Sequence, residues 1–485
     1  MSLEKPGGGG GGGGGGGTPS MEISSDESTI LFKKYGSYST INGDAESPAA
    51  SAESANEWTA SENGTEGRAH KGLSMMMGAM FLVGEMAGAG VLNLPKAIAN
   101  TGWTGVPMLG VLCAMVGYAG TRLAQCWVML EERWPEYRVP CRRPYPAIAY
   151  RALGKFGQYI TEVALNVTLF GAATVFLLVT TQMVHQLLLP FETKVTPCEW
   201  ILIMGGLLIF PTWLGSPKDM WPVSILAMLC TIVACLVVMT EVVLERQTHP
   251  PPEYSAPSFS TFFLGFGSIL FALGGASLFP TVQNDMKNRS EFGSSVIITF
   301  LVLLSLYWPM TVICYGTLGD AVEDNILMSV SGVAVTITQA LILGHFIFAA
   351  IIVINPVMQT IEGILYVPNR FCVGRCIIRS LVMCVVMLLA MAVPTFGKIL
   401  DLIGGSTVTL LSFVMPPVCY FKLCTASNPT NGLPYRVLSP KERSLLFFIA
   451  TIGVVGGVAS SFSALREILS PEAFGGTCFS KGTFL

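Results

Sequence analysis

GEMAGAGVLNLP, residues 84–95, lies inside an apolar run, yet it is built from residues that a plain lipid-facing helix avoids. Gly84, Gly88 and Gly90 loosen a helix, and Pro95 removes a backbone donor. FALGGASLFP, residues 271–280, repeats the device, with Gly274 and Gly275 ahead of Pro280. The two segments echo each other: Gly90 stands five residues before Pro95, and Gly275 five before Pro280.

Around these segments, apolar runs long enough to cross a bilayer recur; each crossing needs about 20 residues. They fall near 74–99, 103–130, 157–189, 200–215, 220–244, 262–285, 294–316, 333–358, 374–393, 399–424 and 444–468. The expected fold is an all-α polytopic membrane protein with eleven transmembrane helices. The two broken segments sit in spans one and six, so five spans separate equivalent positions. Five is odd, and the second half therefore enters the membrane from the opposite side. A 5+5 inverted repeat follows, about 74–244 and 262–424, with an eleventh helix at 444–468. Together they form a transporter domain over 71–468.

A Gly/Pro-interrupted helix at the same place in each half points to a midplane binding site. Unwound backbone survives in a bilayer only where protein buries it or it lines a cavity. Freed N–H groups and the positive end of a half-helix suit a carboxylate. Freed carbonyls suit an ammonium group or a cation. Together they describe a site for a zwitterionic amino acid. The competing reading is that the glycines serve close helix packing, and Gly84 and Gly88 do have small-xxx-small spacing. One such segment leaves the readings balanced; the matched pair favours the site.

Composition agrees. Of 485 residues, 51% are hydrophobic and 12% charged, too few charges to coat a soluble surface. The net charge of −3 gives nucleic-acid binding no electrostatic support. No acid pair spaced for a metal, serine elbow or phosphate loop is evident, so neither catalysis nor a cofactor is expected. Lys and Arg number sixteen in the loops on the side of the N-terminus against five on the other, which places the N-terminus in the cytoplasm.

Residues 1–70 carry a glycine tract, Gly7 to Gly17, and then a Ser/Glu-rich stretch that cannot offset its ordering entropy. They are expected to form a disordered cytoplasmic tail. Asp26 to Leu31 (DESTIL) has the form of an acidic dileucine signal for a cytosolic sorting adaptor. Plasma membrane and endolysosomal (lysosome-type) membrane both stay open. Residues 469–485 form a short external or lumenal tail. Cys198 and Cys478 are the two cysteines this topology places clearly outside, where they can pair or stay as free thiols. Asn63, Asn166 and Asn288 head sequons, but the topology exposes none of them to glycosylation.

GAGVLNLPKAIANTGW (88–103) resembles the first-helix signature of the amino acid/auxin permease family, a G-x-G-[VI]-L-x-L-P-x-A block followed by a glycine. LFALGGASLFPTVQNDMKN (270–288) resembles that family's sixth helix, and ALGKFG (152–157) and LDLIGGSTVTLLSFVMPP (400–417) extend the likeness. The resemblance covers about 71–468. It implies a leucine-transporter-like fold and secondary active transport of amino acids with H⁺ or Na⁺. It also implies that Glu85, Met86, Ala87, Gly88, Ala89 and Gly90, with Phe271, Ala272, Leu273, Gly274 and Gly275, hold the substrate. Phe271 would touch its side chain or merely pack.

Sodium-coupled relatives present an Asn and a Thr where this chain has Gly84 and Ala349, which argues for protons. Ionisable residues inside spans are expensive and functional. Glu85, within the expected unwound stretch, is the first candidate for proton coupling. His345 is the second, set against a plain core role. His185, Glu241, Glu162, Glu362 and Asp401 lie near span ends, and Lys96 can snorkel or pair with an acid. The favoured function is proton-coupled symport of small neutral amino acids. The alternatives are sodium coupling, or an amino acid sensor that signals through its tail.

Overall fold

The computed structural model describes residues 72–139, 141–191, 194–213, 221–247, 251–368, 371–427, 434–471 and 478–479. The expected tail at 1–70, with its Asp26–Leu31 motif and Asn63, lies outside them. So does most of 469–485.

The regular structure of the described residues is helical apart from two isolated bridges. In a bilayer every backbone polar group must be paired within the protein, and helices achieve that segment by segment. The helices are α1 Met75–Met86, α2 Ala89–Thr101, α3 Gly105–Arg133, α4 Pro144–Leu188, α5 Pro197–Trp213, α6 Trp221–Leu244, α7 Phe259–Ala272 and α8 Phe279–Asn284. They continue with α9 Phe292–Leu318, α10 Val333–Ile364, α11 Val373–Ala392, α12 Phe396–Ile403, α13 Met415–Thr425 and α14 Pro440–Ile468. Two π-helical segments, Gly404–Val408 and Leu410–Val414, join α12 to α13. Eight stretches are long and apolar enough to cross a membrane, and three shorter apolar helices, α1, α5 and α7, accompany them.

Local chemistry sets the ends. Ser74 caps α1 by accepting from the Met77 N–H, and Ser258 and Thr261 form a reciprocal capping box on α7. Ser439 caps α14, with Pro440 in its first turn. Within α4, Gly154 takes φ 74°, a left-handed turn that sets Pro144–Leu153 apart from the long helix after it.

Helices five spans apart pack on one another: α2 on α7, α3 on α9, α4 on α10 and α5 on α11. At one end of the bundle, rich in arginine, Leu73 bridges to Met286. The Leu73 N–H donates to the Asp285 carbonyl at 3.0 Å, and the Lys287 N–H to the Leu73 carbonyl at 2.9 Å. The Gln283 amide donates to the carbonyls of Ala124 and Arg289, and the Arg289 guanidinium pairs with Glu131. Arg375 and Arg379 prove to be buried in α11 rather than free in a loop. Glu362 holds both, and Arg379 also donates to the Thr212 carbonyl. Three carbonyl-type oxygens around two guanidiniums make that burial affordable. Without these two, fourteen basic residues still face five, so the charge bias keeps its sign.

At the other end Cys198 and Cys478 form a disulfide, with Cα atoms 5.7 Å apart across a sequence separation of 280. The Cys478 N–H also donates to the Met391 carbonyl. Cross-linking over so long a loop restrains the unfolded chain. Cys198→Ser should cost about 2–4 kcal/mol, read as a fall in melting temperature that reductant reproduces in the wild type. An unchanged melting temperature in both would mean that the bond does not restrain unfolding.

Candidate substrate site

The first helix breaks at two residues only. Ala87 (φ −78°, ψ 49°) and Gly88 (φ −101°, ψ −132°) leave the helical region between α1 and α2. Glu85 and Met86 close α1, and Ala89 and Gly90 open α2, so the unwound stretch is narrower than the sequence suggests. Pro95 lies inside α2, two turns past the break. Its missing N–H frees the Val91 carbonyl, but the non-helical dihedrals collect upstream, on the residue without a Cβ. In the sixth span Phe271 and Ala272 are still helical. The irregular stretch is Leu273 to Leu278, longer than expected, and Pro280 sits in the first turn of α8.

The breaks abut. A Cβ on Gly90 would lie 2.6 Å from the Ala272 Cα, so the start of α2 and the end of α7 touch backbone to backbone. A Cβ on Gly275 would overlap the Met86 sulfur and lie 2.7 Å from the Phe279 ring. One on Gly88 would rest 3.4 Å from the Phe176 ring of α4. Phe176 stacks on Phe346 of α10 with centroids 5.6 Å apart.

Tyr307 of α9, fully buried, joins the two halves. Its hydroxyl is 3.2 Å from the Met86 carbonyl and 3.3 Å from the Ala272 carbonyl. These are the last carbonyls of α1 and α7, which have no onward helical partner. One hydroxyl hydrogen serves two acceptors, which leaves lone pairs for a cationic donor. Opposite them, the α2 N-terminus begins at Gly88 with no side-chain cap, so the N–H groups of Ala89 and Gly90 face an anion-favouring end. N–H groups suited to a carboxylate and carbonyls suited to an ammonium thus lie on either side of the first break.

Tyr307 and Phe176 were missed by the sequence reading. A tyrosine in an apolar span, two residues before Pro309, was the available signal, since a buried phenol needs a partner. Tyr307→Phe should strand both carbonyls at a cost of about 1–3 kcal/mol and slow uptake about tenfold or more at unchanged protein level. Wild-type uptake kinetics in that variant would remove the hydroxyl from the site.

Glu85 is half-buried in the last turn of α1, next to Met86. His345 adjoins the aromatic pair. Its ring contacts Phe346 at 5.2 Å, and its Nδ1 is 3.5 Å from the Thr231 hydroxyl of α6. Lys96 does not reach back to Glu85; its ammonium donates to the Val322 carbonyl at 2.9 Å. Asn93 donates to the Asp324 carbonyl at 3.1 Å, so α2 carries the 319–332 connection at the disulfide end. Gly84 and Ala349 are both buried and offer no side-chain oxygen. A cavity of about 390 Å³ opens at the disulfide end, lined by Gln182, His185, Cys198, Asp324 and Thr395 among others; it lies beyond the breaks.

The family described as transmembrane amino acid transporter protein matches residues 71–463. Amino acid transporter AVT3B of Arabidopsis thaliana is 25% identical over 398 residues, covering 79% of this chain and 91% of its own. Lysine histidine transporter-like 1 of the same plant is 25% identical over 417 residues, covering 80% and 86%. Among solved structures, MhsT in complex with L-phenylalanine superposes with a TM-score of 0.51 at 12% identity, over 81% of this chain and 99% of that one. That likeness shows a shared transporter fold.

Proposed function

The chain belongs to the transmembrane amino acid transporter family, and from that premise we propose that it is a proton-coupled symporter of small neutral amino acids. The observation that carries this reading is the meeting of the two breaks, with Gly90 against Ala272 and Tyr307 between the carbonyl ends of α1 and α7. The substrate carboxylate lies at the N–H groups of Ala89 and Gly90. Its ammonium lies at the carbonyls of Met86 and Ala272, in exchange for part of the Tyr307 bond. Phe271, Leu273, Gly274 and Gly275 line the side toward α7. Phe176 behind Gly88 limits the side chain to a small apolar one.

Eleven crossings arise when α1 with α2, α7 with α8, and α12 through α13 each count as one. The packing of α3 on α9, α4 on α10 and α5 on α11 supports two inverted halves. The arginine-rich end faces the cytoplasm. Glu85 carries the proton because it adjoins Met86 at the break, whereas His345 is separated from Gly88 by Phe346 and Phe176. Gly84 and Ala349 weigh against sodium.

Purified protein in liposomes, given labelled amino acids at about pH 5.5 and about pH 7.5 with and without Na⁺, tests the reading. Concentrative uptake of small neutral amino acids that follows the pH gradient and ignores Na⁺ is expected. Uptake that requires Na⁺ overturns the coupling, and no uptake of any amino acid overturns the function.

A further inference from the structure

Asp401 is a buried carboxyl that the substrate site does not use. It lies on α12 at 7% exposure, and the Ser268 hydroxyl of α7 donates to it. Among the described residues no ion pair joins it to a cation. Three helices cross tightly there. A Cβ on Gly267 would lie 2.5 Å from the Ser460 hydroxyl of α14 and 2.6 Å from the Asp401 carbonyl. A Cβ on Gly404 would overlap the Gly267 carbonyl. The Ser460 hydroxyl is fully buried with no hydrogen-bond partner among the described residues. A π-helical segment begins three residues after Asp401, and such wide turns recur at functional sites.

The junction connects to both ends of the mechanism. Ser268 stands three residues, or about one turn, before Phe271 and the break in the sixth span. Toward the disulfide end, a Cβ on Gly397 would lie 2.8 Å from a carboxylate oxygen of Asp324. Gly397 and Asp401 are i and i+4 on α12 and so share a face. Asp324 therefore sits one turn outward of Asp401, and it lines the open cavity. Burial pushes the Asp324 carboxyl above the usual carboxylate range, against the opposing pull of Lys96 and Lys398. The other charged group acting on Asp401 is Glu467 of α14, itself paired with Lys398 at 3.3 Å. From α7 the facing group is Ser268, and α4 places His185 at the same cavity as Asp324.

We infer that Asp401 binds and releases a proton that reaches it from the cavity through Asp324, and that this proton sets the hydrogen bond tying α7 to α12. Ionisable residues within the membrane mark ion or proton pathways. A metal cation fits poorly, because Ser268 contacts the carboxylate directly and the glycine contacts close the space that further oxygen ligands would need. The consequence for transport rests on the proton-coupled reading above; the binding of the proton does not.

Infrared difference spectroscopy on the full-length protein in lipid vesicles, titrated from about pH 8 to about pH 5, tests this directly. Among the carbonyl-stretch bands of protonated carboxyls, one should rise in the wild type, vanish in Asp401→Asn, and shift without vanishing in Ser268→Ala, while those of Glu85 and Asp324 persist in both variants. In Asp324→Asn the band should persist, but its exchange into heavy water should slow about a hundredfold. The same set of titrating bands in Asp401→Asn as in the wild type, or no titrating band in the wild type, overturns the proton site. Unchanged exchange in Asp324→Asn overturns the route. Uptake by the same vesicles is measured in parallel: transport indifferent to pH defeats the symport reading and leaves the infrared band to decide Asp401.

Discussion

Gly275→Val should end amino acid uptake while the protein still reaches the membrane. Its Cβ would overlap the Met86 sulfur and press within 2.7 Å of the Phe279 ring, and valine adds two further methyls. Gly90→Val should be equally severe for a different reason. Its neighbour at 2.6 Å is the Ala272 Cα, and backbone cannot rotate out of the way. Overpacking of this kind costs about 1–3 kcal/mol, enough to part the breaks by a fraction of an ångström. A misplacement of that order can reduce turnover about a hundredfold. Gly88→Ala should be milder, because its Cβ would meet Phe176 at an ordinary 3.4 Å. Gly344→Ala, on the same helix as His345 but with nothing within 4 Å, is the control for membrane delivery. Wild-type uptake in both Gly275→Val and Gly90→Val would show that substrate does not bind between the breaks.

Glu85→Gln should abolish accumulation against a gradient and leave exchange of substrate across the membrane intact. A protonated Glu85 does not repel the substrate carboxylate bound beside it, so proton and substrate load together; that differential affinity is what coupling requires. A pH difference of one unit stores about 1.4 kcal/mol per proton, which supports about tenfold accumulation. The amide mimics the neutral acid at every pH. Uptake by Glu85→Gln should therefore lose its rise toward acid, and its accumulation ratio should fall to about one. Vesicles with a preset pH gradient and labelled substrate measure both. Concentrative uptake with the wild-type pH profile would move the coupling role to His345 or Asp401.

The two breaks were legible because the glycine-then-proline device falls at matching places in the two halves; spacing alone would not have sufficed, since Gly206 also stands five residues before Pro211 in the continuous helix α5. Their limits were not. Pro95 and Pro280 draw the eye, yet Pro280 opens its helix where no N–H is needed, Pro95 frees only the Val91 carbonyl, and the dihedral change settles upstream of both. Contacts across the fold were invisible in any local pattern. Tyr307 meets Met86 from 221 residues away, and Ser268 meets Asp401 from 133. Arg375 and Arg379 resembled loop charges because they stand near a span end. Only the position of Glu362 reveals that they are buried partners. Cys198 and Cys478 could be named as candidates because topology left no other cysteine clearly on that side.

The pairing of Leu73 with the 285–287 backbone works as a clasp. Two backbone hydrogen bonds, at 3.0 and 2.9 Å, fasten the entry to α1 onto the connection that follows α8. At about 0.5–1.5 kcal/mol net apiece they hold that end shut by a factor of roughly 5 to 150. Substrate that crosses at that end, in either direction, would wait on the clasp, whose opening frequency would then set a ceiling on turnover.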